Sequence, residues 1–145
     1  MPQYNPDKLT KLISEMRKAI VRLKALRSVE KDIFLKDLDK LGSAKYYFVV
    51  AIESAIDIAN HIISQNAYRA PEDYADTFQV LCERGAVDNE FVMSLKKMAK
   101  FRNRLIHLYW EVDDGQVYDI LQTRVDDFNT FLKSISIFLN FKDLK

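Results

Sequence analysis

Between Leu121 and Leu139 the apolar residues Leu121, Val125, Phe128, Leu132, Ile135 and Leu139 advance by four, three, four, three and four positions. That spacing keeps one stripe of an α-helix facing a partner surface. A stripe of this kind cannot stay exposed, so the chain must supply other helices, or a second copy, to cover it. The chain is well suited to do so. Only three Gly and three Pro punctuate 145 residues, which favours long uninterrupted elements.

Leu9, Ile13, Met16, Ile20 and Leu23 repeat the pattern and predict a first amphipathic helix from about Asp7 to Arg27. Lys8, Lys11, Arg17, Lys18, Arg22 and Lys24 occupy its other faces, as on a solvated helix surface. A second helical region runs from near Ile33 to about Gln65, with an irregularity expected at Gly42-Ser43. Pro71 suits the first position of a short third helix, Glu72 and Asp73 suit its positive end, and Gly85 suits its C-terminal cap. Asp88 can cap a fourth helix that continues through Phe91, Leu95, Met98 and Phe101 to Tyr109. Asp113-Asp114-Gly115 then signals a turn before the last helix.

Five such segments with short connections predict an all-α, antiparallel up-and-down bundle forming a single domain over residues 1–145. The C-terminal stripe can pack inside the monomer or join two copies. Periodicity alone does not choose between them, and internal packing is the first expectation.

Charge narrows the function classes. With 22 basic and 21 acidic residues, the formal charge of +1 excludes a globally basic nucleic-acid coat, so any such contact must be local. Cys82 is the single cysteine, and no charged-then-apolar leader opens the chain, which makes a cytoplasmic protein the expectation. Charges interrupt the hydrophobic runs, so no membrane span is expected. His61, His107 and Cys82 have no zinc-like spacing, and no cofactor or metal site is expected.

The fourth helix carries the residues with chemical potential. On a wheel of about 100° per residue, Arg102 falls in the middle of an apolar arc that includes Leu95, Met98, Ala99, Leu105 and Ile106. A charge there is costly unless paired and hydrogen-bonded, so Arg102 must reach solvent, a cleft or a second subunit. If the helix continues, Tyr109 lies within about 20° of Arg102, whereas His107 diverges from it by about 140°. Asn103 and His107 share another side, beside Lys96, Lys97, Lys100 and Arg104. An imidazole can move a proton to or from a ribose oxygen, and a guanidinium can hold a phosphate and offset developing charge. On residue types alone, an Arg and a His on a basic helix are most simply surface groups.

The whole string is more specific. Arg102-Asn103-Arg104-Leu105-Ile106-His107-Leu108-Tyr109 resembles the Arg-x4-His-x-Tyr signature of HepT-like proteins of the HEPN superfamily. Ala51 to Ile63, Tyr74 to Leu81, Gly85-Ala86-Val87, Met98 to Phe101 and Val117 to Leu121 extend the similarity over about residues 7 to 140. The resemblance implies a homodimeric helical bundle acting as a type VII-like toxin, a metal-independent endoribonuclease. Arg102 and His107 would be its active pair, facing a shared cleft, with Asn103 in support. It also implies a small nucleotidyltransferase antitoxin as partner, which adenylylates Tyr109 and blocks RNA by bulk and like charge. Two other functions remain open: a noncatalytic substrate-binding partner of a minimal nucleotidyltransferase, and a nucleotide-binding antiviral module.

Glu53, Asp57 and Asn60 form a polar strip on the second helical region. It is either a solvated face or a line of acids facing the cleft, where Glu53 or Asp57 could pair with Arg102. His61 is expected to be structural, Cys82 to pack, and Trp110 to pack near the end of the motif helix or at a subunit contact.

Overall fold

The structure, a computed structural model, describes residues 1–141. Seven α-helices and one 3-10 turn make up the described residues, with no strand among them. They are α1 (Pro6–Arg27), α2 (Lys31–Lys36), α3 (Leu38–Gln65), α4 (Tyr74–Glu83), α5 (Phe91–His107), the turn Tyr109–Glu111, α6 (Asp114–Thr123) and α7 (Asp126–Leu139). The all-α class is as expected, and the higher count comes from two segments that split.

The first split falls at Asp37 rather than at Gly42-Ser43. Asp37 adopts an extended conformation, and its carboxylate accepts the Asp39 and Lys40 N–H groups, which stops α2 and caps α3 in one residue. Gly42 continues inside α3; its propensity cost of about 1 kcal/mol is too small to break a well-packed helix. The second split falls at Arg124-Val125, between α6 and α7. The four-three stripe crosses this break with its spacing intact, and all six of its residues are buried in the core of the single chain.

α1 lies along α3, presenting Leu9, Ile13, Met16, Ile20 and Leu23 to it, and its first turn is fixed by the Asn5 side chain accepting the Asp7 and Lys8 N–H groups. The other face of α3 meets α4 and α5. Phe48 of α3 sits between Phe101 of α5 and Phe128 of α7, with ring centroids 5.5 and 6.5 Å away. The buried side chains form one contiguous cluster.

This central role explains the apolar character of α3. By length and composition alone it is apolar enough to cross a membrane, although Lys45, Glu53 and Asp57 interrupt it as expected. In the fold 61% of that apolar stretch is buried, and the neighbouring helices provide the cover.

The third helix begins later than expected. Pro71 precedes it, and α4 starts at Tyr74 because the Asp73 carboxylate accepts the Asp76 N–H. Its far end matches expectation. Gly85 takes φ +81°, and the Ala86 and Gly85 N–H groups return to the Leu81 and Cys82 carbonyls, a Schellman closure that favours glycine. Asp88 accepts the Phe91 N–H at the start of α5. Asp113 accepts from Gly115 and Gln116, so the acidic turn is the N-cap of α6.

Candidate functional site

The centre of the site is an ion pair between the middle of α3 and the last turns of α5. Arg102 Nη2 and Nε both donate to Glu53 Oε1, at 2.6 and 3.1 Å, and Nη1 donates to Asn103 Oδ1 at 3.1 Å. The Arg102 side chain is only 13% exposed, while Glu53 remains 42% exposed. The guanidinium also lies 5.0 Å from the ring centre of Tyr74, at the start of α4, within reach of a cation–π attraction. The burial problem raised by the helical wheel is thus met by one carboxylate, one amide and one aromatic face.

The pairing leaves chemical capacity. Of the five N–H donors on a guanidinium, these bonds use three. One on each terminal nitrogen has no protein acceptor among the described residues. A guanidinium with a free donor on each terminal nitrogen can still bind phosphate oxygens.

Of the two candidate acids, Glu53 holds Arg102 and Asp57 does not. Asp57, one turn along α3, is exposed, yet desolvation by the surrounding protein raises its carboxyl pKa, and the Glu53 charge raises it further. Lys8 and Arg102 oppose that shift. Asn103 is turned to Arg102 rather than to His107.

His107 is the last residue of α5, is exposed, and its side chain makes no hydrogen bond among the described residues. α5 is helical through both positions, so the angular divergence of Arg102 and His107 persists and no bond within one chain joins them. Tyr109 departs from expectation. The chain leaves the helix at Leu108 (φ −134°, ψ 37°), and Tyr109 begins the 3-10 turn. Its alignment with Arg102 on a continuous helix therefore does not occur. Tyr109 is 63% exposed and Trp110 66% exposed, with their rings edge-on at 5.3 Å. Trp110 does not pack on the chain's own motif helix as expected, because the turn swings it outward. Ile106 and Leu108 are exposed beside them.

The remaining polar residues have structural positions. His61 is buried, and its Nε2 accepts the Asn5 N–H at 2.9 Å, which ties α3 to the start of α1. Burial and then the nearby Lys8 charge push its pKa down, as an accepting nitrogen requires. Half-buried Cys82 donates to Asn89 Oδ1. Arg69 clamps Asp76 and Glu83 with four bonds of 2.8 to 2.9 Å, fixing the segment between α3 and α4. No cluster of three or more His, Cys, Asp or Glu residues arranged for a metal occurs among the described residues. Tyr74 was missed as a site residue. Its contact with Arg102 depends on how α4 meets α5, which no local spacing encodes.

Residues 16–135 match the profile of the Ribonuclease HepT-like family. This chain belongs to that family, within the HEPN superfamily. It is 34% identical over 83 residues to an mRNA nuclease HepT from Shewanella oneidensis, a match covering 57% of this chain and 62% of that one. Across three curated relatives, the matches span 51% to 62% of their lengths. The fold superposes with a TM-score of 0.84 on a toxin–antitoxin crystal structure with AMP-PNP, at 26% identity, covering 90% of this chain and 98% of that one. It also superposes, with a TM-score of 0.82 and 26% identity, on a tri-AMPylated Shewanella oneidensis HEPN toxin in complex with its MNT antitoxin. That match covers 89% of this chain and 96% of the toxin. The HEPN architecture thus accounts for the helix order from α1 to α7.

Proposed function

We propose that this HepT-like chain is the toxin of a type VII-like toxin–antitoxin pair, a cytoplasmic, metal-independent endoribonuclease that uses Arg102 and His107. The observation that carries the reading is the half-committed guanidinium. Arg102 is covered and charge-balanced by Glu53, yet keeps two donors for a phosphate, on the same helix as a solvent-facing imidazole.

Cleavage would proceed by internal transfer. The ribose 2′-oxygen attacks the adjacent phosphorus, the bond to the 5′-oxygen breaks, and the products are a 2′,3′-cyclic phosphate and a 5′-hydroxyl. His107 takes the 2′-hydroxyl proton or returns one to the leaving 5′-oxygen. Arg102 offsets the charge that grows on the non-bridging oxygens. Asn103 supports by holding Nη1 of Arg102 in place. No step of this chemistry needs a metal.

The divergence of Arg102 and His107 along α5 favours a homodimer in which each cleft takes residues from both copies. Exposed Ile106, Leu108, Tyr109 and Trp110 supply apolar surface for such a contact or for a partner. Control would come from a small nucleotidyltransferase. Tyr109 Oη attacks the α-phosphate of ATP, pyrophosphate leaves, and the added AMP places negative charge where RNA would enter. The high exposure of Tyr109 supports that access. The same divergence is also what favours the second reading, a noncatalytic partner of a nucleotidyltransferase, in which the two groups never meet.

Expression of the chain alone and with a neighbouring nucleotidyltransferase separates the two. For an active pair, the native protein arrests growth and fragments RNA, while Arg102→Ala and His107→Ala do neither. Equal toxicity of all three removes the active pair, and a folded, unmodified but inert native protein supports the binding reading. Mass spectrometry after coexpression should find AMP on Tyr109.

A further inference from the structure

The motif accounts for Arg102, Asn103, His107 and Tyr109, but not for the positive charge on the next face of α5. Lys97, Lys100, Arg104 and His107 follow i, i+3, i+7 and i+10 spacing, which places them within about 80° of one another and spreads them over about 15 Å of helix. Beside the first three, α5 and α6 enclose a groove of about 310 Å³, to which Arg124 adds a fourth cation from the end of α6.

No carboxylate lines this groove, although the chain as a whole is almost neutral. Lys97, Lys100 and Arg104 have no salt-bridge partner among the described residues, and Arg124 has only Asp127 at 3.8 Å. Arg104 is positioned rather than loose, since its Nη1 donates to Gln116 Oε1 across the groove at 3.2 Å. Met98 and Ile120 give the groove an apolar wall. Cations on a rim above an apolar wall suit a chain of phosphates carrying flat bases.

We propose that this groove is the track of a single RNA strand, leading along α5 to His107. The inference rests on the ribonuclease reading and adds to it where the substrate lies: phosphates along Lys97, Lys100 and Arg104, approaching the imidazole from the side away from Arg102. A strand placed this way meets His107 first, and the guanidinium must come to its scissile phosphate from the far side of the helix or from a second copy.

Binding of a short fluorescent single-stranded RNA to His107→Ala protein, followed by anisotropy across a salt series, tests the track. Each phosphate neutralised on a single strand contributes about 0.7 to the slope of log K against log salt, equivalent to about fivefold in affinity at 0.1 M. Adding K97Q and K100Q should lower the slope by about 1.4 and weaken binding about 25-fold at that salt. K97R and K100R should restore both, and K11Q with K24Q on α1 should change neither. An unchanged slope in K97Q/K100Q, or an equal loss in K11Q/K24Q, overturns the track. So does intact RNA binding in K97Q/K100Q with lost binding of the nucleotidyltransferase, which would make the groove a protein interface. The two readings fail separately. Native protein that cuts RNA with unaltered KM in K97Q/K100Q refutes the track alone, whereas groove-dependent binding without cleavage supports the track and refutes the ribonuclease.

Discussion

Replacing Glu53 by Gln tests the centre of the site, because it keeps the side-chain shape and one carbonyl oxygen while removing the charge that balances Arg102. Two limits bracket the effect. A fully exposed pair is worth about 0–1 kcal/mol, and breaking a buried pair costs about 3–5 kcal/mol. Here the guanidinium is 13% exposed and the carboxylate 42% exposed, so the cation is enclosed while its partner is hydrated. The orphaned guanidinium keeps Asn103 and the Tyr74 face. An intermediate loss of about 1–2 kcal/mol follows, because part of the desolvation penalty is still offset.

At this chain length that corresponds to a fall in Tm of roughly 3–6 °C. Stability alone does not isolate the pair, so the assay is a double-mutant cycle with Arg102→Met by urea denaturation. It must be run at fixed protomer concentration, because self-association would add to apparent stability. The expected coupling is about 1–2 kcal/mol, and additivity within about 0.5 kcal/mol would refute the reasoning, since that is the behaviour of independent sites. Under the ribonuclease reading E53Q should also lower kcat about tenfold with little change in KM, because Arg102 keeps its charge but loses its alignment.

His61 makes stability sensitive to mild acid. Its pKa is lowered in the fold, so the unfolded chain takes up the proton first; its contribution is complete above about pH 6.5 and declines as pH falls below that value. H61Q, whose amide oxygen can still accept the Asn5 N–H, should show a flatter stability profile over that window. In the Arg69 clamp, hydrogen bonds from Arg69 hold the Asp76 pKa at about 2. That contribution is present above about pH 4 and disappears as pH falls through 2, so the stability difference between native protein and R69Q should shrink to nothing over the same range. Gly85→Ala should cost about 1 kcal/mol by denaturation, since an added Cβ meets no atom within 4 Å and the whole penalty is the positive φ. A neutral G85A would show that the Schellman turn relaxes without loss.

Much of this fold is written as spacing. The stripes of α1 and α7 place their own residues inside because a helix repeats on a fixed angle, and the covering elements follow from the need to bury them. The boundaries that misled are ones where two signals compete. Asp37 and Gly42 both mark a break, but a carboxylate that satisfies two free N–H groups outweighs a small propensity loss. Pro71 and Asp73 compete in the same way before α4, and again the residue that caps sets the start.

The end of α5 had no such competitor to read. No glycine or asparagine stands in the five positions after His107, and the nearest stop signal is Asp113, so spacing alone carries the helical phase on to Tyr109. In the structure the Glu111 N–H bonds to the Leu108 carbonyl at 2.8 Å, which tightens the chain into a 3-10 turn that begins two positions after His107. The demand that Arg102 be paired was legible, because an arginine inside an apolar arc cannot be left alone. The identity of its partner was not: Glu53 lies 49 positions away, and only the packing of α3 on α5 chooses it over Asp57. Ending the helix at His107 therefore takes Tyr109 off the face it would have shared with Arg102, while His107 diverges from Arg102 on the helix itself. Arg102 faces α3, His107 ends the cationic face beside α6, and Tyr109 stands on a turn whose position is set by its own hydrogen bonds rather than by the phase of the helix.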